Sequence, residues 1–128
     1  MIVLDKELSL EQMEALLFEG EKLTLADAAK KRVRDSYEFL SGYSSDKVIY
    51  GINTGFGPMA QYRVPDEDLK QLQYNIIRSH SSGAGNPMPD IYVKAAMISR
   101  VVTFAQGYSG IHISALELLV EFLFHLLV

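Results

Sequence analysis

From Ile111 to Val128 the chain is apolar on almost every side, interrupted only by His112, Ser114, Glu117, Glu121 and His125. A helix that is apolar all round must be covered from several directions, by other helices or by lipid. Two glutamates near the middle of the run would be costly in hydrocarbon, which argues against a membrane span. The segment therefore predicts a helix buried by its neighbours. A chain of 128 residues has room for one domain and few such neighbours. The run closes on Phe124-His125-Leu126-Leu127-Val128 with no cap and no polar tail. We read this end as a cut, or as a surface meant for another subunit.

Composition removes several classes of function. Apolar residues make up 48% and charged residues 22%, too apolar for a disordered chain. Twelve Lys and Arg against sixteen Asp and Glu give a net charge of -4, so no basic stripe for nucleic acid is expected. The absence of cysteine excludes a disulfide framework, a thiolate nucleophile and a Cys-containing zinc site. His112 and His125 have no partner at metal-ligand spacing, and no metal site is expected. Asp5, Lys6 and Glu7 interrupt any signal-peptide core near the start, so the expected location is the cytoplasm.

Periodicity predicts five helices and an all-α fold. Ser9-Leu10-Glu11-Gln12 fits a capping box, followed by Leu10, Met13, Leu16 and Leu17 at helical spacing. Thr24 is placed to cap a second helix through Leu25, Ala29, Val33, Tyr37 and Leu40, fading at Ser41-Gly42. Val48-Ile49-Tyr50 reads as a short extended run leading into a glycine-rich loop that ends near Pro58. Pro65 suits the first turn of a third helix, with Asp66, Glu67 and Asp68 at the positive end of its dipole. Leu69, Leu72, Ile76 and His80 share one face of it, and Gly83 is placed to end it. A fourth helix starts near Pro89-Asp90, with Ile91, Ala95, Ile98, Val102 and Ala105 as its stripe, and breaks at Gly107 to Gly110. The apolar run is the fifth.

The loop Tyr50 to Pro58 carries the most information. Gly51, Gly55 and Gly57 let the backbone take positive φ and approach a ligand or another chain closely. Phosphate cradling is disfavoured, because Gly57 precedes Pro58-Met59 rather than Lys-Ser/Thr, and no helix follows the glycines directly. Tyr50 is either a packing residue or a proton carrier. A phenol has a reference pKa of about 10 and acts as a base only where its surroundings stabilise the phenolate, which backbone donors of such a loop can do. His80 is either a satisfied, partly buried histidine or an imidazole held at a pocket edge by a helix end.

Tyr50-Gly51-Ile52-Asn53-Thr54-Gly55-Phe56-Gly57 resembles the tyrosine loop of the aromatic amino acid ammonia-lyases, which include the histidine, phenylalanine and tyrosine ammonia-lyases and related aminomutases. Gln73-Tyr74-Asn75-Ile76-Ile77-Arg78-Ser79-His80-Ser81-Ser82-Gly83-Ala84-Gly85 resembles the second block of that family. The likeness continues through Arg100 and Gly107 to Ile111, and fades after about Leu123. It implies the N-terminal helical portion of the family's fumarase/aspartase-like fold, over residues 1–128. It also implies non-oxidative removal of ammonia from an aromatic amino acid. By this resemblance Tyr50 takes the β-proton, Gly51, Asn53, Gly55 and Gly57 shape the loop, and Ser79 and His80 read the substrate ring. A Ser-His pair resembles the histidine-directed members; a polar pair suits imidazole, whose nitrogens need partners in a dry pocket.

The family's electrophile is a methylidene-imidazolone that forms from an internal Ala-Ser-Gly triplet. No such triplet occurs here; the Ser-Gly pairs are Ser41-Gly42, Ser82-Gly83 and Ser109-Gly110. The resemblance places the triplet shortly after residue 128, so the chain corresponds to roughly the first quarter of a member, and alone is expected to be inactive. Full members are homotetramers with shared active sites, which would account for the apolar last helix. The alternatives are a phenylalanine or tyrosine ammonia-lyase or aminomutase, and a non-catalytic helical interaction module.

Overall fold

The computed structural model describes residues 1–125, so the close of the apolar run at 126–128 lies outside the described residues. In chain order the elements are β1 (Ile2–Leu4), α1 (Leu10–Phe18), β2 (Leu23–Leu25), α2 (Asp27–Tyr43), α3 (Leu69–His80), α4 (Asp90–Ala105) and α5 (Ile113–His125). Single 3-10 turns occupy Gly57–Met59 and Asp66–Asp68. The five expected helices are all present, and the fold is predominantly helical. Contacts divide the chain into two compact units, one of residues 1–40 with the chain from Pro87 onward, the other Ser41–Asn86.

The first unit contains a small sheet that helical periodicity does not reveal. β1 pairs in parallel with β2, in the register Ile2 to Leu23 and Leu4 to Leu25. A parallel pair needs a crossover, and α1 supplies it. The strands are three residues each, too short to display an alternating pattern. Thr24 consequently lies in β2 opposite Val3 and does not cap α2, which begins at Asp27. The Ser9 cap is as expected: its hydroxyl accepts from the Gln12 amide at 3.2 Å, and Gln12 Oε1 accepts from the Ser9 amide at 3.0 Å.

Leu4, Leu16, Ala29, Val33, Ile98, Val101, Ala105, Leu116 and Leu123 form the fully or almost fully buried core of this unit. α1 and α4 are rotated slightly from the stripes drawn on the sequence. Leu10 is exposed, and Val101 is buried where Val102 is only partly so. α2 also outlasts Ser41-Gly42, ending at Tyr43. In α5, Leu116 and Leu123 are buried while Leu118 and Phe122 remain 47% and 39% exposed. Its apolar circumference is thus covered on one side. Among the described residues no helix is long and apolar enough to cross a membrane.

Arg32 ties three segments of the first unit together. Its guanidinium lies 2.8 Å from the Asp5 carboxylate and donates to the carbonyls of Asp5 at 2.6 Å and Ala105 at 3.2 Å. The chain leaves α4 through Gly107, at φ 77°, directly against Arg32. A Cβ at Gly107 would stand 2.9 Å from Arg32 Cβ and 3.1 Å from its backbone carbonyl. Both the left-handed backbone and the fixed neighbour resist a side chain. Gly107→Ala is therefore expected to destabilise the protein by about 3 kcal/mol, measured by urea unfolding. A loss below about 0.5 kcal/mol would contradict this packing.

Candidate active site

The second unit consists of the glycine-rich loop and α3. The expected extended run Val48-Ile49-Tyr50 is not a strand. Ile49 O accepts from the amides of Ile52 at 3.1 Å and Asn53 at 3.2 Å, which folds the chain into a turn. The Ile49 amide, which a sheet ladder would use, donates instead to Asn53 Oδ1 at 2.8 Å.

Asn53 is the hub of this loop. Its side chain is buried, and Nδ2 donates to the carbonyls of Ser44 at 3.0 Å and Lys47 at 2.7 Å. With the Ile49 contact, one amide satisfies three backbone groups that the turn leaves unpaired. Its own carbonyl accepts from the Val64 amide at 2.9 Å. Thr54, which the sequence does not single out, is fully buried beside it. Thr54 Oγ1 accepts from the Gly51 amide at 3.3 Å and donates to Gly55 O at 2.9 Å. A single antiparallel bridge from Thr54 to Arg63 closes the loop, and the Gly55 amide donates to Tyr62 O at 3.3 Å.

The three glycines do different work. Gly51 and Gly57 have φ of 77° and 56°, in the left-handed region, whereas Gly55 does not have positive φ. A Cβ at Gly51 would meet Phe56 Cε1 at 3.5 Å, an ordinary contact, so the backbone angle rather than space requires glycine there. Tyr50 follows from this arrangement. It is 62% exposed and meets Phe56 edge-to-face, with ring centroids 5.6 Å apart and planes at 70°.

α3 supplies the facing wall. It ends at His80, before Gly83, with Ser81 as the residue that leaves helical geometry. A cleft of about 550 Å³ is lined by Tyr50, Phe56, Asn75, Ile76, Ser79 and His80. The proton-carrier candidate and the Ser-His pair, distant in sequence, thus line one cavity. His80 is exposed at this cleft and is not a buried core histidine.

The hydrogen bonds assign the tautomer of His80. Nδ1 lies 2.9 Å from Ile76 O and 3.0 Å from Ser79 Oγ. A carbonyl can only accept, so Nδ1 carries the proton. Ser79 donates its hydroxyl proton to the same carbonyl at 2.9 Å, leaving its oxygen to share the Nδ1 proton. The neutral ring then presents Nε2 as an acceptor.

His112 lies in the first unit and serves the fold. It stacks edge-on to Tyr37 with centroids 4.9 Å apart, and its Nδ1 accepts from the Ser114 amide at 3.3 Å at the start of α5. Among the described residues no cluster of His, Asp and Glu could hold a metal ion.

The family model described as aromatic amino acid lyase matches residues 8–128. The match extends through the end of the apolar run and does not fade after Leu123; such a run carries no short motif yet fits the family pattern by position. The chain is 40% identical over 124 residues to histidine ammonia-lyase from Streptococcus pyogenes, spanning 95% of this chain and 24% of that protein. It superposes with a TM-score of 0.90 and 25% identity on ergothionase from Treponema denticola, over 97% of this chain and 25% of the other. Phenylalanine aminomutase from Pantoea agglomerans gives a TM-score of 0.86 at 33% identity, over 96% and 24%. The chain therefore spans about a quarter of the length of each of these proteins. Matched over nearly all its residues, with the tyrosine loop and the Ser-His helix end facing one cleft, this chain belongs to the aromatic amino acid lyase family.

Proposed function

We propose that these residues form the proton-accepting and ring-reading part of a histidine ammonia-lyase, which converts L-histidine to urocanate and ammonia. The observation that carries this reading is the convergence of Tyr50 and His80 on one cleft. The Tyr50 oxygen accepts the β-proton; the released electron pair forms the Cα–Cβ double bond, and the amine leaves with the electrons of the C–N bond. A weakly acidic β-hydrogen demands that the base be held in place, and the Asn53 and Thr54 hydrogen bonds hold the loop that bears it. His80 Nε2 accepts from an imidazole N–H, and Ser79 fixes the His80 ring through Nδ1. The 40% identity to a histidine ammonia-lyase supports histidine over other aromatic amino acids.

In this family a methylidene-imidazolone supplies the electrophile that draws the amine away. The 128 residues hold no Ala-Ser-Gly triplet, so the group does not fit residues of this chain and would come from elsewhere in a complete enzyme. The three Ser-Gly pairs present do not stand in for it. Association into a homotetramer in the cytoplasm belongs to the same proposal, and the exposed Leu118 and Phe122 of α5 support a partner on that face. The 33% identity to a phenylalanine aminomutase favours a second reading, in which the proton and amine are returned rather than released.

Two assays test the proposal together. A complete enzyme carrying these residues should release urocanate from histidine, followed by ultraviolet absorbance, faster than it acts on phenylalanine or tyrosine. The 128 residues alone should release none. Preference for phenylalanine or tyrosine would overturn the substrate, and turnover by the isolated piece would overturn the division of labour.

A further inference from the structure

We infer that Asn75 is a specificity-determining residue that reads the second nitrogen of an imidazole ring. Asn75 and Ser79 lie one helical turn apart, as do Ile76 and His80, so two adjacent rows of α3 line the cleft that Tyr50 also lines. Gln71 Nε2 donates to Asn75 Oδ1 at 2.8 Å. With Gln71 bonded to one side of the oxygen, the donor that Asn75 offers to a ligand is Nδ2. His80, protonated at Nδ1 by its bond to Ile76 O, offers Nε2, which only accepts in the neutral ring. One wall of the cleft thus carries one acceptor and one donor.

That complement matches a neutral imidazole, which has one N–H and one bare nitrogen. The substrate N–H donates to His80 Nε2, and Asn75 Nδ2 donates to the other ring nitrogen. A phenyl ring satisfies neither group and leaves both without a partner in a closed site, which penalises phenylalanine. A phenol has one oxygen, so it can donate to His80 and accept from Asn75 only where both groups reach that single atom, whereas imidazole offers a separate nitrogen to each. Gln71 acts as a positioning residue, since its bond fixes which end of the Asn75 amide faces the cleft.

This inference rests on the histidine reading and goes beyond it, so the test uses a complete enzyme carrying these residues, with histidine, phenylalanine and tyrosine assayed side by side. Asn75→Leu should lower kcat/KM for histidine by about tenfold, mainly through KM, without lowering it for phenylalanine. Asn75→Asp keeps the shape and removes the N–H donors, so it should give the same loss near pH 8. A wild-type enzyme that prefers histidine, with the histidine-to-phenylalanine ratio unchanged in both variants, would overturn the role of Asn75 alone. Equal losses on all three substrates would mark a structural role and overturn it likewise. A wild-type enzyme that does not prefer histidine would overturn both readings. If the leucine variant does not fold, the histidine-to-phenylalanine ratio of the aspartate variant decides.

Discussion

Asn53→Ala should destabilise the glycine-rich loop by about 2–4 kcal/mol and lower turnover of a complete enzyme by about a hundredfold. The stability effect follows from three hydrogen bonds made by one buried side chain, to Ser44 O, Lys47 O and the Ile49 amide. Alanine would leave these backbone groups to seek water in a loop that has little other structure to fall back on. The turnover effect follows because Tyr50 lies inside the segment that Asn53 holds. A base displaced by an ångström loses much of its rate advantage even when its chemistry is intact. Asn53→Asp is expected to fare no better, since it keeps the acceptor for Ile49 but sets carboxylate oxygen against two carbonyls. Hydrogen exchange of the amides between residues 44 and 55 would localise the change. Unaltered exchange there, with wild-type turnover, would show that Asn53 is not the hub.

The parts legible in the sequence are those governed by local rules. The Ser9 capping box depends on residues three apart, and it is present atom for atom. The five helices depend on apolar repeats, and they too are present. The two-stranded sheet was not legible, because three-residue strands have no measurable period and their pairing depends on a crossover through α1. For the same reason Thr24 resembles a cap when it is a strand residue. Val48-Ile49-Tyr50 has strand-forming composition, but Asn53 captures the amide that a ladder would require. Composition gave no warning of that capture.

The candidate site was legible in a different way. Tyr50, Ser79 and His80 stand out through resemblance to a family, not through spacing, since nothing local says that a loop and a helix end share a cleft. Asn75 lies within the Gln73–Gly85 block, where nothing local marks it, because its meaning depends on Gln71 bonding one end of its amide. Thr54 also lay inside the octapeptide; a polar residue flanked by glycine-loop positions signals burial only once the Thr54–Arg63 bridge is known. Tyr50 is 62% exposed, and α5 keeps Leu118 and Phe122 open, in a chain that spans about a quarter of its relatives.

The central claim is that the Tyr50 hydroxyl oxygen accepts a proton from the β-carbon of the substrate. Tyr50→Phe removes that oxygen and keeps the ring that meets Phe56 edge-to-face, so the loop should fold as before. General-base catalysis by a positioned group is worth between about a hundredfold and ten thousandfold, and the variant should lose kcat by that amount with KM for histidine little changed. The decisive measurement is urocanate release by a complete enzyme bearing Tyr50→Phe, with formation of its prosthetic group verified independently by absorbance. The account predicts the loss just stated; a variant with an intact prosthetic group and wild-type kcat would contradict it.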